Sequence, residues 1–487
     1  MLPRKADGEA TLAKNHGAVR HNARRAPITA EEWMTGSRSA ADVLDEVRRA
    51  SALKVKVAIT DVDGILRGKY IHKEKFLSAA ESGFGFCNVV FGWDSSDVCY
   101  DNASFTGWHS GYPDALARID LSTYRSVPWE GGVPFFLADF EDARGRPLGV
   151  CPRQLFKRVL ARAAARGLTP DAGLEYEWFN FQETPQTWAA KGYSSPQPLT
   201  PGMFGYSIVR QAHSRPYFTA LFDDLAAFAV PLEGLHTETG PGVFEAAIMH
   251  APGLESADRA VLFKTAVKEI AQRFGVMPTF MARWSRDLPG CGCHLHQSLW
   301  QDGRNVLHDE KDPHRMSKTF KSYLAGQLRA LPDLLPFFAP TVNSYKRLVE
   351  GFWAPTRVTW GVDNRTVAFR VIPGGAKSTR VEVRVGGADL NPYLAMAASV
   401  AAGVWGIEEG LKLGDDPVTG SAYRAEKAVR LPRTLQEATD RLERSSLARE
   451  LLGKEFVDHF VETREWEWRQ AQQAVTDWEL KRYFEII

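Results

Sequence analysis

The chain has 487 residues, 44% apolar and 24% charged, which is ordinary for a soluble protein and long enough for two or three domains with a large core. A formal net charge of +1 removes the electrostatic case for a nucleic-acid or anionic-membrane partner, and no apolar run is long enough to span a bilayer. Five scattered cysteines, an odd number, predict no disulfide framework and fit a reducing, cytoplasmic compartment.

In chain order, the polar and basic N-terminus lacks the apolar segment of a secretory signal, and its composition predicts a disordered tail over residues 1–37. Val43, Val47 and Ala50 recur at helical spacing and predict a helix from about Ser39 to Leu53. VKVAITDVDGILRGKYI reads as two strands joined at Asp63-Gly64. The stretch from Gly83 to Ala138, rich in Gly, Pro and Trp, reads as further β-structure with long loops. DFEDARGRPLG is a turn or linker, and CPRQLFKRVLARAAARG is an amphipathic helix with Pro in its first turn and Gly beyond its end. That change of pattern sets a boundary near residue 145, with one domain over 38–145 and a larger one over 146–487. Strands and helices then alternate irregularly to about residue 415, and the chain is mostly helical from Thr434. Its late aromatics (Trp466, Trp468, Trp478, Tyr483 and Phe484) read as the seal of a core or a subunit contact.

Four strand-like runs carry ionisable pairs at i, i+2: Glu175 with Glu177, His236 with Glu238, His294 with His296, and Glu382 with Arg384. Residues two apart on a strand face the same way, so these runs predict a cavity shared by carboxylates, imidazoles and guanidiniums. Leu, Tyr, Trp and Phe flank Glu175 and Glu177, which argues for burial, and a buried carboxylate pair needs a cation. Oxygen ligands of this kind suit Mg²⁺ or Mn²⁺. Cys291, Cys293, His294 and His296 cluster without the spacing of a closed tetrahedral zinc site. Late in the chain Arg347, Arg365, Arg370, Lys377, Arg380 and Arg384 alternate with apolar residues, unlike a solvated charge run. Forked guanidiniums beside metal carboxylates are what binding a polyphosphate and a transferring phosphoryl group requires. No Walker A and no kinase Gly-rich signature is present.

Together GLEYEWF, ETGPGVFE, CHLHQSLW, NSYKRLV, DNRTVAFR, TRVEVR with NPYLA, and TREWEWRQ resemble the motifs of the glutamine synthetase family, in the family's order, from about residue 55 to the C-terminus. The resemblance implies an α+β protein. A small N-terminal β-grasp-like domain precedes a large catalytic domain with a β-sheet barrel and flanking helices. It implies self-association into two stacked rings, a dodecamer of two hexamers, with each active site between neighbours. It also implies two steps: ATP phosphorylates the γ-carboxylate of glutamate, and an amine then displaces phosphate.

Carried over by motif, Glu177, Glu238 and Glu245 resemble the ligands of one metal, and Glu175, His294 and Glu382 those of a second, with two or three Mg²⁺ or Mn²⁺ ions per site. Arg365 and Arg370 match catalytic arginines. Glu233, His296, Ser298, Lys377 and Arg380 match ATP contacts, and Gly290, Arg347 and Arg384 match glutamate contacts.

The sequence departs from the family at the amine side. Trp353 stands where a flap glutamate is usual, Pro289 replaces an asparagine, and Val243 replaces a glutamine. Asp94 and Asp101 both align with the aspartate that binds ammonium. A tryptophan cannot deprotonate ammonium, but its π-face suits an alkylammonium or an aromatic amine. Trp93, Trp108, Val243 and Phe244 are expected to line the same pocket. The sequence therefore predicts an ATP-dependent ligase that joins glutamate to an organic amine (alkyl, poly- or aromatic). An ammonia-dependent glutamine synthetase is the alternative, and a non-catalytic ring-forming homologue a remote one.

Overall fold

The computed structural model describes residues 38–414 and 416–487. The tail expected over 1–37 lies outside the described residues. The first helix runs Ala40–Arg49, shorter than its apolar spacing suggests. Ser39 starts it with a capping box, its hydroxyl accepting from the Asp42 N–H while the Asp42 carboxylate accepts from Ser39.

The predicted hairpin is β1 (Lys54–Thr60) with β2 (Leu66–His72), paired antiparallel. With β3 (Phe84–Cys87), β4 (Asp114–Val127) and β5 (Val133–Glu141) it makes a five-stranded sheet in the order β2-β1-β5-β4-β3. β1 and β5 run parallel, and the helix Lys73–Ser82 crosses over after the hairpin, which is the β-grasp-like arrangement.

The second sheet has ten strands: β6 (Thr169–Phe181), β7 (Leu232–Thr237), β8 (Val243–Ile248), β9 (Ala251–Pro252), β10 (Met277–Thr279), β11 (Cys293–Gln301), β12 (Arg304–Asn305), β13 (Trp360–Val362), β14 (Phe369–Ile372) and β15 (Arg380–Val383). Its path is β13-β14-β15-β11-β6-β8-β7, with β9 and β10 on β6 and β12 on β11. The expected barrel is thus, among the described residues, an open path whose end strands β13 and β7 are not paired to each other.

β6 shows why this sheet holds a site. Pro170, Ala172, Leu174, Tyr176 and Trp178 are buried on one face, whereas Asp171, Gly173, Glu175 and Glu177 alternate with them on the other. Behind the buried face lies the helix Leu254–Gln272. Its Phe263 stacks on Tyr176 at 5.7 Å and meets Trp178 edge-on at 5.6 Å.

One apolar core runs continuously from the first sheet to the C-terminal helices. The helix Pro392–Glu408 is buried on nearly every side and packs on the helix Lys318–Leu334 through facing glycines. A Cβ on Gly406 would stand 2.3 Å from the Ser322 carbonyl, and one on Gly326 2.2 Å from that of Ala402. Gly406→Ala is therefore expected to cost about 1–3 kcal/mol through overpacking, read as a lower denaturant midpoint at unchanged slope. An unchanged midpoint would show that the two helices can part without cost.

Among the described residues no helix is long and apolar enough to cross a membrane. All five cysteines are free. Of the late aromatics, Trp466 is buried and Trp468 packs against the core, whereas Trp478, Tyr483 and Phe484 are exposed.

Candidate active site

Cross-strand register gathers the ionisable residues. Glu175 pairs with His294 across β6 and β11, and Glu177 with Glu245 across β6 and β8. His236 pairs with Glu245 across β7 and β8. On the other flank Glu382 pairs with His296 and with Arg370. Glu238 and Arg384 sit one residue beyond the ends of β7 and β15, so two of the eight paired residues lie just outside their predicted strands.

The result is three overlapping groups whose ligand atoms lie within 4.8 Å of one another: Glu175 with His294 and Glu382, Glu177 with Glu245 and His294, and His236 with Glu238 and Glu245. The first is the set expected for one cation. The second set is spread over the other two groups through the shared Glu245, with His236 joining it. His236 Nδ1 is 3.9 Å from Glu238, and its Nε2 is 3.9 Å from Glu245.

The electrostatics divide the carboxylates into two kinds. Burial would raise the pKa of Glu382, but Arg384, His294, His296 and Arg370 outweigh it and bring it down to about 2. Arg370 Nη1 donates to Glu382 at 2.9 Å, and Arg384 donates to its other oxygen. Burial likewise opposes ionisation of Glu175, yet His294 and His296, each 3.4 Å away, hold its carboxyl well below the usual range. Glu245 goes the other way. Burial, then the Glu177 and Glu175 carboxylates, hold it far above the carboxylate range. Without a cation Glu245 therefore keeps its proton at neutral pH. Clustered carboxylates and an imidazole, one carboxyl held protonated by its neighbours, fit a divalent-cation centre.

A group whose pKa is raised on folding costs stability as the pH climbs past its unfolded value, about 4.3 for Glu. A cation needs the ionised form, so binding displaces the Glu245 proton. Mg²⁺ binding is expected to release about one proton at pH 7, read by calorimetry in two buffers of different ionisation heat, and to raise Tm more at pH 8 than at pH 6.5. No proton release would contradict this reading.

All of these residues except His236 line a cavity of about 690 Å³. Gly290, Arg347, Arg365, Arg370, Arg384, Val243 and Trp353 share its wall. Arg347 is buried and bridges Val385 O at 3.1 Å and Arg384 O at 3.3 Å, and burial lowers its pKa. Gly292 makes room for it, since a Cβ there would lie 2.6 Å from Arg347 Nη2. The Gly292 N–H donates to Glu177 at 2.6 Å and fixes that carboxylate. A second cavity, of about 340 Å³, adjoins the first and shares Glu175, His296 and Arg380 with it. Glu233, Ser298 and Lys377 complete the expected nucleotide set on its wall.

Other expected residues lie elsewhere. Phe244 is fully buried against Trp178, Tyr217 and Phe218, because strand alternation points it away from Val243 and Glu245. Trp93 lies under the Arg67 guanidinium at 5.3 Å, and Trp108 is exposed against Tyr112. Asp94 accepts from Trp466 Nε1 at 3.0 Å, and Asp101 pairs with Arg469. The loop carrying these four docks on the helix Lys454–Gln473, and none of the four lines the cavity of its own chain.

Tyr206, Thr239 and Phe352 line the cavity and escaped the sequence reading. Tyr206 has φ +55° and stacks on His236, centroids 4.4 Å apart. It sits in a loop with no strand or helix periodicity, so only the long-range fold brings it here.

Carboxylates and imidazoles carried by one sheet, with arginines from the sheet, a short helix and a loop, converge on two joined cavities, an arrangement that fits divalent cations and phosphates. Residues 149–483 match the glutamine synthetase catalytic domain, and the chain belongs to the glutamine synthetase family, whose members are ATP- and divalent-metal-dependent ligases. It is 53% identical to type-1 glutamine synthetase 2 of Dictyostelium discoideum over 91% of this chain and 86% of that one. It is 38% identical to a gamma-glutamylethanolamide synthetase of Streptomyces coelicolor over 88% and 92% of the two chains. It is 35% identical to a glutamate–isopropylamine ligase of Pseudomonas sp. over 91% and 98%. A solved GmaS/ADP complex superposes with a TM-score of 0.80 at 28% identity, covering 91% of this chain and 99% of that one.

Proposed function

We propose that this protein joins glutamate to an organic amine through γ-glutamyl phosphate, with ATP consumed to ADP and phosphate. The observation that carries this reading is Trp353, 60% exposed on the cavity wall. An ammonia-using site needs a carboxylate to hold ammonium and take its proton. An indole offers neither, but it favours an apolar or aromatic amine. Val243 on the same wall adds apolar surface. The relatives named for isopropylamine and for ethanolamide support the reading, and the 53% relative named glutamine synthetase favours ammonia as the alternative nucleophile.

Two divalent cations, Mg²⁺ or Mn²⁺, held by Glu175, His294 and Glu382 and by Glu177, Glu238 and Glu245, would supply charge neutralisation and Lewis acidity at the phosphates. Arg347 holds the glutamate α-carboxylate as a fork, with Gly290 beside it for the amino group. Glu233, His296, Ser298, Lys377 and Arg380 hold the nucleotide in the adjoining cavity. Arg365 and Arg370 stabilise charge on the transferring phosphoryl group. A γ-carboxylate oxygen attacks the terminal phosphorus, the bridging P–O bond breaks, and ADP leaves with that electron pair. The amine nitrogen then bonds to the acyl carbon, the C–O bond to phosphate breaks, and the amine proton ends on the departing phosphate. In a ring, a neighbouring chain's loop brings Asp94 or Asp101 to the amine side. The exposed Trp478, Tyr483 and Phe484 offer apolar area for such self-association.

Purified protein with glutamate, ATP, Mg²⁺ and pooled amines, read by mass spectrometry, tests the reading. γ-Glutamyl amides of organic amines are expected. Saturable turnover of ammonium with no organic product would replace it with the ammonia alternative.

A further inference from the structure

Arg283 lines neither cavity, yet it is buried and touches segments that do. Its guanidinium donates to three backbone carbonyls: Nε to Ser285 O at 2.9 Å, Nη1 to Lys346 O at 2.7 Å and Nη2 to Arg286 O at 2.6 Å. Its backbone is fastened too. The Arg283 N–H donates to Asn343 Oδ1 at 2.8 Å, and Asn343 Nδ2 donates to the Arg283 carbonyl at 2.7 Å. The Phe352 ring lies against the guanidinium, 4.2 Å from its carbon.

These grips fall at matching places in the chain. Lys346 is the residue before Arg347, and Phe352 is the residue before Trp353. The helix Ser344–Arg347 has 4 residues, so its last carbonyls have no partner within it, and Arg283 supplies one to Lys346. The start of that helix is fixed separately, by the Thr341 and Ser344 hydroxyls donating to Asp389 Oδ2 at 2.8 and 2.6 Å. Ala282, next to Arg283, accepts from the Cys291 N–H at 2.8 Å and presses on Gly290, where a Cβ would lie 2.3 Å from its carbonyl. The segment leading to Trp353 has an ion pair of its own, Glu350 with Arg430 at 3.2 Å, but both side chains are exposed, where such pairs contribute little.

We infer that Arg283 is a positioning residue that sets the glutamate arm Arg347 and the amine-side ring Trp353 as one unit. This inference rests on the roles given to those two residues above. A lysine ends in one compact ammonium, which cannot span three carbonyls and offers no flat face to stack on, so the arrangement is specific to a guanidinium. The nucleotide cavity is walled by other segments, and Arg283 touches none of Glu233, His296, Ser298, Lys377 and Arg380.

Steady-state kinetics of the full chain with Mg²⁺ test this, using whichever nucleophile the unaltered protein turns over, ammonium or an organic amine. Arg283→Lys is expected to raise KM for glutamate and for the nucleophile by about 10-fold each, while KM for ATP stays within about twofold. Phe352→Ala keeps the grip on Lys346, so it should raise KM for the nucleophile about 3- to 10-fold and leave that for glutamate within about twofold. Phe352→Tyr keeps a ring on the guanidinium and should match the unaltered protein. Because Phe352 acts through Arg283, adding Phe352→Ala to Arg283→Lys should change KM for the nucleophile by no more than about twofold further. A rise in the ATP KM alongside the other two would mark a general loosening and overturn the inference. An unchanged nucleophile KM in Phe352→Ala overturns it even where Arg283→Lys fails to fold. Ammonium as the sole nucleophile, with these shifts present, supports the inference and overturns the amine-ligase reading; organic-amine turnover without the shifts does the reverse. No glutamate-dependent turnover with any nucleophile overturns both.

Discussion

Glu177→Ala is expected to lower glutamate-dependent phosphate release by about 10³-fold or more, equivalent to about 4 kcal/mol in the barrier. Glu177 is aimed by the Gly292 N–H and opposed across the strands by Glu245, with His294 in ligand reach of both. Removing it takes one carboxylate from a cation group and leaves the developing phosphoryl charge less well matched. The fold should tolerate the change. In the cation-free protein Glu177 is the first charged neighbour that drives Glu245 up, so losing it relieves repulsion and Tm without metal should hold or rise. Activity loss with retained Tm, read by phosphate release and thermal unfolding, distinguishes a chemical role from a folding role. Turnover retained within tenfold would remove Glu177 from the cation centre.

Trp353→Glu carries the second large effect. A carboxylate on the flap can accept from ammonium and take its proton, and one charged hydrogen bond is worth about 1.5–3 kcal/mol. The same change removes the indole face from an organic amine. The ratio of kcat/KM for ammonium to that for an apolar amine is therefore expected to rise by about 10- to 100-fold or more, with KM for ATP nearly unchanged. An unchanged ratio would show that this residue is not the selector and that selectivity lies on other parts of the wall.

The candidate site was legible where strand alternation governs it. Glu175 and Glu177 could be placed on one face because Leu174, Tyr176 and Trp178 alternate with them, and β6 keeps that order from Thr169 to Trp178, beyond which Phe179, Asn180 and Phe181 are all buried. The same rule, applied residue by residue, would have turned Phe244 into the core, since it lies between Val243 and Glu245. A shift of one residue on a strand reverses the face. Glu238 and Arg384 lie past strand ends, where only the register of their neighbours fixes them. Tyr206 was not legible, because a left-handed residue in a loop gives no period and its partner His236 is fixed by the fold. Asp94 and Asp101 looked equivalent in sequence. Their real partners, Trp466 and Arg469, lie more than 360 residues later in the chain, on one helix. The N-terminal sheet was legible as a hairpin from Asp63-Gly64, whereas the parallel pairing of β1 with β5 depends on a long-range contact that local pattern does not carry.

Glutamate labelled with ¹⁸O in its γ-carboxylate, turned over with ATP, Mg²⁺ and n-butylamine as sole nucleophile in ammonium-free buffer, tests the whole account in one measurement. Each γ-glutamyl butylamide formed is expected to be matched by one phosphate carrying one ¹⁸O, because the carboxylate oxygen that attacks phosphorus leaves with it. Unlabelled phosphate, or labelled glutamate recovered without amide, would contradict it.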